Sequence, residues 1–561
     1  MRPGARVRGR GPELAAAAFG LLWFVALGGW RAIPPTALDW LGGGDRTQHV
    51  LGWLFFRSSR WTLPLGRIDG LAWPSGTTVG FTDSNPLVAI AAKLVAPALP
   101  RDFQYVGLWL AACFALQGFV GARLAALGSA SAAYRFLGGA LFVLAPVLLL
   151  RLPHDTLCAH FALLALLALH LRLTPDAAGA RRALRTAAAI TLLVAAVHPY
   201  LGLMALALTF ALVVRTWRAD RLLAARAALR WMSGLAVAVA AVFLLLGYFT
   251  AAPSHGPNFG RFSADLLALV NPLGVSSFLP ALAVQPGQVE GYGYLGLGVL
   301  LLAGVTAALA VARWRPARER RAALAPVAAA CLLMALYALS NEIRLAGRTV
   351  LDLRAVYRPL AGVVGPFRSS GRFLWPLVYL VTAGAVVGLP RLLGRRAALA
   401  AALLAAAVAL QLADLAPRAR GAYFADRPWQ LRDPRWSLLH GSYDHLALAP
   451  PEVVGVLTAC RGLVYDDDDY YAPFALEAYR QGLTVNSGYL ARGAVDRLEP
   501  PCLEQERELA RGELRARTVY VVHPSKEPLF RRAGATCGRL DRALVCVAPG
   551  QTDAFARALS R

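Results

Sequence analysis

The sequence predicts an all-α polytopic membrane protein with a small carboxyl-terminal α/β domain, and three observations predict it. Apolar residues fill 57% of 561 positions and the mean hydropathy is positive, which excludes a string of ordinary soluble domains. Apolar windows near the ~20 residues that cross a bilayer recur over the first three quarters of the chain. Between these windows stand clusters of arginine, as the positive-inside bias requires.

The formal charge of +25 raises the question of nucleic acid, and the placement of the arginines answers it. They gather at Arg2, Arg6, Arg8 and Arg10; at Arg172, Arg181, Arg182 and Arg185; at Arg215, Arg218, Arg221, Arg226 and Arg230; at Arg313, Arg315, Arg318, Arg320 and Arg321; and at Arg391, Arg395 and Arg396. These groups separate apolar windows and build no aromatic-interleaved basic surface, so nucleic acid is not an expected partner. Lysine occurs only as Lys93 and Lys526.

The first span, Glu13 to Trp30, follows a basic start. Its apolar run is long for a secretory signal, and Trp30-Arg31 stands where a small-residue cleavage site would be, so an uncleaved anchor with a cytoplasmic amino terminus is expected. The polar stretch from Ala32 to Asp102 is the expected first outer loop. Spans follow at Phe103 to Leu124, Phe136 to Leu152, Leu157 to Leu171, Thr186 to His198, Leu201 to Val214, Trp231 to Tyr248, Gly293 to Val311, Ala323 to Leu339, Phe373 to Leu389 and Ala397 to Leu412, about eleven in all. Alternating sides puts every arginine cluster in the cytoplasm. It places outside the first loop, Leu152 to Thr156, His198 to Tyr200, Ala251 to Tyr292, Ser340 to Arg372 and the carboxyl-terminal region. The short pair flanking His198-Pro199-Tyr200 fits either a tight hairpin or a re-entrant pair. The transmembrane domain is thus expected over 1–416, with the first loop 32–102 inside it, and the outer domain over 417–561.

In that outer domain the runs GLVY, RTVYVVHP and ALVCVAP read as strands and CLEQERELARGEL as a helix. Its four cysteines lie in an expected oxidising compartment, which favours disulfides over buried thiols. Cys537 and Cys546 flank GRLDRALV, a spacing that a β-hairpin closes, which leaves Cys460 to pair with Cys502. The run Asp466 to Asp469 lacks the glycine and distal glutamate of a calcium loop and reads as a solvated acidic turn.

The spans Trp231 to Tyr248, Ala323 to Leu339 and Phe373 to Leu389 hold no Asp, Glu, Lys, Arg or His, which disfavours an ion-coupled transporter. Polar chemistry collects at the expected outer ends instead. Asp45 is the candidate general base, able to take a proton from an acceptor hydroxyl; with Gln48 it also fits a capping box. His49 lines the site or bonds the backbone. Asp83 lies in FTDSNPL, where Asn85 before Pro86 already starts a helix, so Asp83 is open to a substrate role. Asp155, beside His154 in LPHDTLCAH, suits a metal or substrate ligand or a helix cap. His198 stands at a helix end, where a structural turn competes with substrate binding. Glu290 falls in GQVEGYGYLG, which suits sugar stacking, a gate or an ordinary loop. Arg368 and Arg372 break the charge bias on the outer side, where an arginine fork matches phosphate and snorkelling is the alternative.

The stretches GDRTQHVLGWLFFRSSRWTLPLG, FTDSNPLVAIAAKL, FQYVGLWLAACFALQGFVGARL, HDTLCAHFALLALLALHLRL, HPYLGLMALAL, LLALVNPLG and GQVEGYGYLGLG resemble a family of bacterial multi-spanning proteins known only as a domain of unknown function. The resemblance covers most of the chain to Arg372. That family is similar in layout to the GT-C superfamily of membrane glycosyltransferases, which have many spans, a catalytic Asp in the first outer loop and often a soluble outer domain. The resemblance implies Asp45 as that catalytic residue and Asp155 at the place where several members carry an acidic metal or substrate ligand. It also implies a sugar donor on a polyprenyl phosphate or diphosphate, in or near membrane lipid. No paired Asp-X-Asp or Glu-X-Asp occurs in the second outer loop, so Mg²⁺ or Mn²⁺ is an open expectation. The function expected is transfer of a sugar from that donor to an envelope glycan or lipid acceptor at the outer face of a bacterial inner membrane. The alternatives are a non-catalytic component of envelope polysaccharide assembly or export and, further off, a transporter.

Overall fold

A computed structural model describes residues 9–172, 176–250, 259–313, 317–416, 423–426, 429–454, 469–491 and 495–560. The chain divides into two compact units, the first Met1–Ile33, Gly107–Val242 and Pro253–Tyr423, the second Pro34–Val106, Phe243–Ala252 and Phe424–Arg561. The loop expected to belong with the helices therefore clusters with the carboxyl-terminal region. Arg2, Arg6, Arg8, Arg315, Cys460, Asp466 to Asp468 and the expected strand GLVY lie outside the described residues.

The first unit is a helical bundle. Among the described residues eight helices are long and apolar enough to cross a membrane: Val106–Ala125, Ala132–Leu150, Asp155–Arg172, Pro199–Ala219, Ala225–Leu245, Arg318–Leu339, Ser370–Leu393 and Ala397–Asp414. The chain is accordingly read as a membrane protein, with a count below the eleven expected. Helices also cover the other three expected segments, but Gly11–Ala26 and Leu297–Arg313 are shorter, and Ala177–Val197 opens with Arg181, Arg182 and Arg185. The segment around His198 is a tight helical hairpin. His198 is extended, its Nδ1 accepts the Tyr200 N–H at 3.2 Å, and Pro199 opens the next helix.

Helices in this bundle approach through small residues. A Cβ on Gly20 would stand 2.2 Å from the Phe114 carbonyl oxygen, and one on Gly118 would stand 2.1 Å from that of Ala16, so only glycine admits these backbones. The end of the bundle helix Ala397–Asp414 is fixed by its last carboxylate. Fully buried Asp414 accepts from Tyr294 at 2.9 Å and from the Leu297 N–H at 3.0 Å, and also from Ser276. Asp265 is structural too. It accepts from the Leu267, Ala346 and Gly347 N–H groups and so ties down the turn of the hairpin Glu342–Leu345/Arg348–Asp352.

The carboxyl-terminal part of the second unit is α/β, as expected. Its five-stranded sheet runs Thr536–Leu540, Ala543–Val547, Thr518–Val522, His445–Ala449, Thr484–Val485, with the last three strands mutually parallel and the first two antiparallel. Alternate residues Ala447, Ala449, Tyr520, Val522, Leu544 and Cys546 pack one face against Leu509 and Phe530. Cys537 and Cys546 are directly paired across the hairpin and joined by a disulfide. Cys502 is also disulfide-bonded, its expected partner Cys460 being outside the described residues. Cys113, Cys158 and Cys331 are buried free thiols. Replacing Cys537 and Cys546 together by serine is expected to destabilise this domain by about 2–3 kcal/mol, the loop-closure value for so short a loop. Faster amide exchange in strands Thr536–Leu540 and Ala543–Val547 would register it.

Candidate functional site

The polar first loop of the second unit is built on the helix Asp45–Ser58. Gly42, Gly43 and Gly44 all have positive φ (58°, 99° and 71°), a path that side chains resist, and they deliver the chain to the helix start. Gly44 occupies the cap position, so Asp45 is the first helical residue and the capping box read from the sequence does not form. Gln48 turns away and donates to the Phe81 carbonyl at 3.1 Å. The orphan N–H of Gly44 is taken by Asp469, whose Oδ2 lies 2.5 Å away and sets a negative charge at the helix amino terminus. Asp469 is thus engaged with this helix, not a purely solvated residue, and the 425 positions between the partners hid the contact from sequence reading.

One helical turn after Asp45, on the same face, comes His49. It is buried, and its Nε2 faces the Asp83 carboxylate at 3.6 Å. Asp83 has φ 55° and Asn85 φ 48°, two left-handed residues that fold TDSN into a tight turn. The turn is bonded from within and from the helix. Thr82 and Ser84 hydroxyls are 2.7 Å apart, Ser84 donates to the His49 carbonyl at 2.7 Å, and Tyr105 donates to the Ser84 carbonyl. Asn85 caps the next helix, Pro86–Leu94, as the sequence suggested. Phe81 meets Tyr248 edge-on at 5.9 Å. Burial, and then the Asp83 charge, push the Tyr248 hydroxyl well above its ordinary pKa, which keeps it a neutral donor near that carboxylate.

The helix rests directly on this turn at Gly52, where a Cβ would meet the Thr82 and Ser84 hydroxyls at 2.2 and 2.3 Å. Gly52→Ala is therefore expected to cost about 1–3 kcal/mol by overpacking. Lowered thermal stability, together with altered reactivity of the His49 region toward a histidine-modifying reagent, would show it.

In the first unit Arg372, Arg151 and His154 gather around Glu290. One of its carboxylate oxygens, Oε2, accepts from Arg151 at 2.8 Å and from Arg372 at 2.7 Å, and Arg151 also donates to the Val289 carbonyl at 3.2 Å. Burial alone would raise the Glu290 carboxyl, but Arg151, Arg372 and the nearby His154 outweigh it and hold the group well below the usual carboxylate range. The Arg372 guanidinium lies over the Tyr200 ring at 4.9 Å, and the Tyr200 hydroxyl accepts the Ser369 N–H at 2.9 Å. His198, by bonding the Tyr200 backbone, acts on this group through Tyr200.

Glu290 is thus the centre of an ion-pair group in which Arg151 and Arg372 share one carboxylate oxygen. The Arg368 guanidinium lies over the Phe262 ring at 5.8 Å. Asp155 is buried, and its carbonyl accepts from the Trp109 indole at 2.9 Å. Arg151 was missed by the sequence reading. It had a signal, because it is an arginine at the expected outer end of a span, the same departure from charge bias that drew attention to Arg368 and Arg372.

Two guanidiniums on one carboxylate leave a net positive charge, suited to an anionic group. The other set, Asp45, His49 and Asp83, offers carboxylates and an imidazole suited to proton transfer.

No curated protein matches this chain. A family model described as Domain of unknown function (DUF6311) matches residues 17–416, and that of the DUF6311 C-terminal domain matches residues 435–548. With the greater part of its length matched in this way, the chain belongs to the DUF6311 family.

Proposed function

We propose that the protein is a membrane glycosyltransferase that moves a sugar from a polyprenyl-phosphate-linked donor to an envelope glycan or lipid acceptor at the outer face of a bacterial inner membrane. The observation that carries this reading is the Asp45, His49, Asp83 set on a polar loop within a protein rich in membrane-crossing helices. Asp45 takes the proton of an acceptor hydroxyl. The acceptor oxygen bonds to the anomeric carbon, the bond from that carbon to the carrier phosphate breaks, and the phosphate leaves with the electron pair. In the first unit, the guanidiniums of Arg151, Arg372 and Arg368 suit an anionic group such as a carrier phosphate.

Mg²⁺ takes oxygen ligands, so of the two ions expected Mn²⁺ is the one that the His49 imidazole and the Asp83 carboxylate would hold. The pair's facing nitrogen and oxygen are 3.6 Å apart, close to the ~3–3.5 Å between two ligands that each sit about 2.1 Å from one ion. When bound, such an ion would supply charge against a phosphate. Pairing of Arg372 with Glu290 favours the second reading, a non-catalytic component of polysaccharide assembly, because it occupies the guanidinium within the chain.

The test is a deletion strain complemented with the wild-type gene. Accumulation of a sugar-charged polyprenyl phosphate on deletion, reversed by complementation, is expected. An unchanged pool of lipid-linked sugar with altered polysaccharide export would favour the second reading.

A further inference from the structure

The loop of the second unit exposes several large apolar side chains. Leu63 is 78% exposed, Leu94 71%, Val95 53% and Trp61 48%. Patches of this kind mark interaction surfaces rather than ordinary surface.

Their position says which surface they meet. The Leu65 N–H donates to the Leu245 carbonyl at 2.8 Å, and a Cβ on Gly247 would touch Pro64 at 2.9 Å. Leu245 is the last residue of the membrane-crossing helix Ala225–Leu245, and its final residues, from Phe243, belong to this unit. The chain around Leu63 is therefore bonded to the last turn of that helix, the end at which a helix of membrane-crossing length leaves the hydrocarbon. Phe249, just beyond that helix, is also exposed.

The polar chemistry of the patch fits the same layer. Lys93, directly before Leu94, holds its ammonium 3.9 Å from the Phe56 ring centroid and 4.6 Å from that of Trp61, and its Nζ makes no hydrogen bond among the described residues. Burial lowers its pKa to about 8, against the pull of Asp69. Arg60 and Arg101 are exposed nearby in sequence, and Arg57 clamps 96–101 to the helix by donating to the carbonyls of Ala96, Leu99, Pro100 and Arg101. Tryptophan beside cations over exposed aliphatic side chains is the pattern of a membrane interface.

We propose that Trp61, Leu63, Leu94 and Val95 form a docking surface that dips into the interfacial layer of a phospholipid bilayer, with the exposed Arg60 and Arg101 meeting lipid phosphates. This surface is independent of the glycosyltransferase reading.

The test uses the full chain in a phosphatidylcholine nanodisc containing phosphatidylglycerol. Single variants Leu63→Cys, Leu94→Cys and, as a control on an exposed polar site of the same unit, Ser437→Cys carry a nitroxide; native Cys113, Cys158 and Cys331 are buried and escape labelling. The expected result is collision with dissolved oxygen favoured several-fold over a water-soluble nickel chelate at 63 and 94, and the reverse at 437. Nickel access at 63 and 94 equal to that at 437 overturns the proposal. Spin–spin broadening between labels at 63 or 94 also overturns it, because the occupant is then a second copy of the chain. The substituted side chains are exposed, so the variants keep the fold.

Discussion

Glu290→Gln is expected to destabilise the protein by about 3–5 kcal/mol, the cost of removing one partner from a buried ion pair. The side chains of Arg151, Arg372 and Glu290 are 3%, 10% and 15% exposed, so water cannot replace the lost charge. Two guanidiniums that share one carboxylate oxygen would then repel each other across a gap with little screening. Removing one of them as well, in Glu290→Gln with Arg151→Gln, should recover part of the loss, and thermal unfolding in detergent would measure both. The pH dependence has a definite sign. The folded carboxyl is held below the ordinary range, so its contribution is fully present above the unfolded value, about 4.3. It is lost only as pH falls through the lower folded value. The deficit of Glu290→Gln should therefore stay constant between pH 7 and pH 5.

Asp45→Asn is expected to lower sugar transfer by about 10²–10⁴-fold, the usual contribution of a positioned general base. Membrane abundance should stay near wild type, because the amide keeps the shape of the side chain and the first turn takes its cap contact from Asp469. The same logic separates Asp45 from Asp469. Removing the Asp469 carboxylate should loosen the helix start by about 1 kcal/mol, and its effect on transfer should follow abundance.

Much of the fold was legible because its causes are local. Each apolar window became a helix, since a bilayer-length run has no other way to satisfy its backbone. The hairpin at His198 and the Cys537–Cys546 bridge followed from residues within one turn or one hairpin. The count of spans was less legible. Ala177–Val197 is long enough, but its arginines shorten the apolar part, and a sequence window does not show where the helix begins. The grouping of 34–106 with the carboxyl-terminal region rests on pairs such as Asp102 with Arg480, 378 positions apart. The candidate site divided in the same way. Residue types pointed to Asp45, His49, Asp83 and Arg372, yet the partners that fix their chemistry, Asp469 and Arg151, lie 425 and 139 positions from the groups they bind. Only folding brings such pairs together.

The most direct measurement of the central claim is sugar transfer by purified protein in proteoliposomes, from a polyprenyl-phosphate-linked donor to added acceptor, comparing wild type with Asp45→Asn at equal reconstituted amount. The account predicts turnover by wild type and its near loss in Asp45→Asn, with the donor left intact. Equal turnover by the two proteins would contradict it and reduce Asp45 to the first residue of its helix.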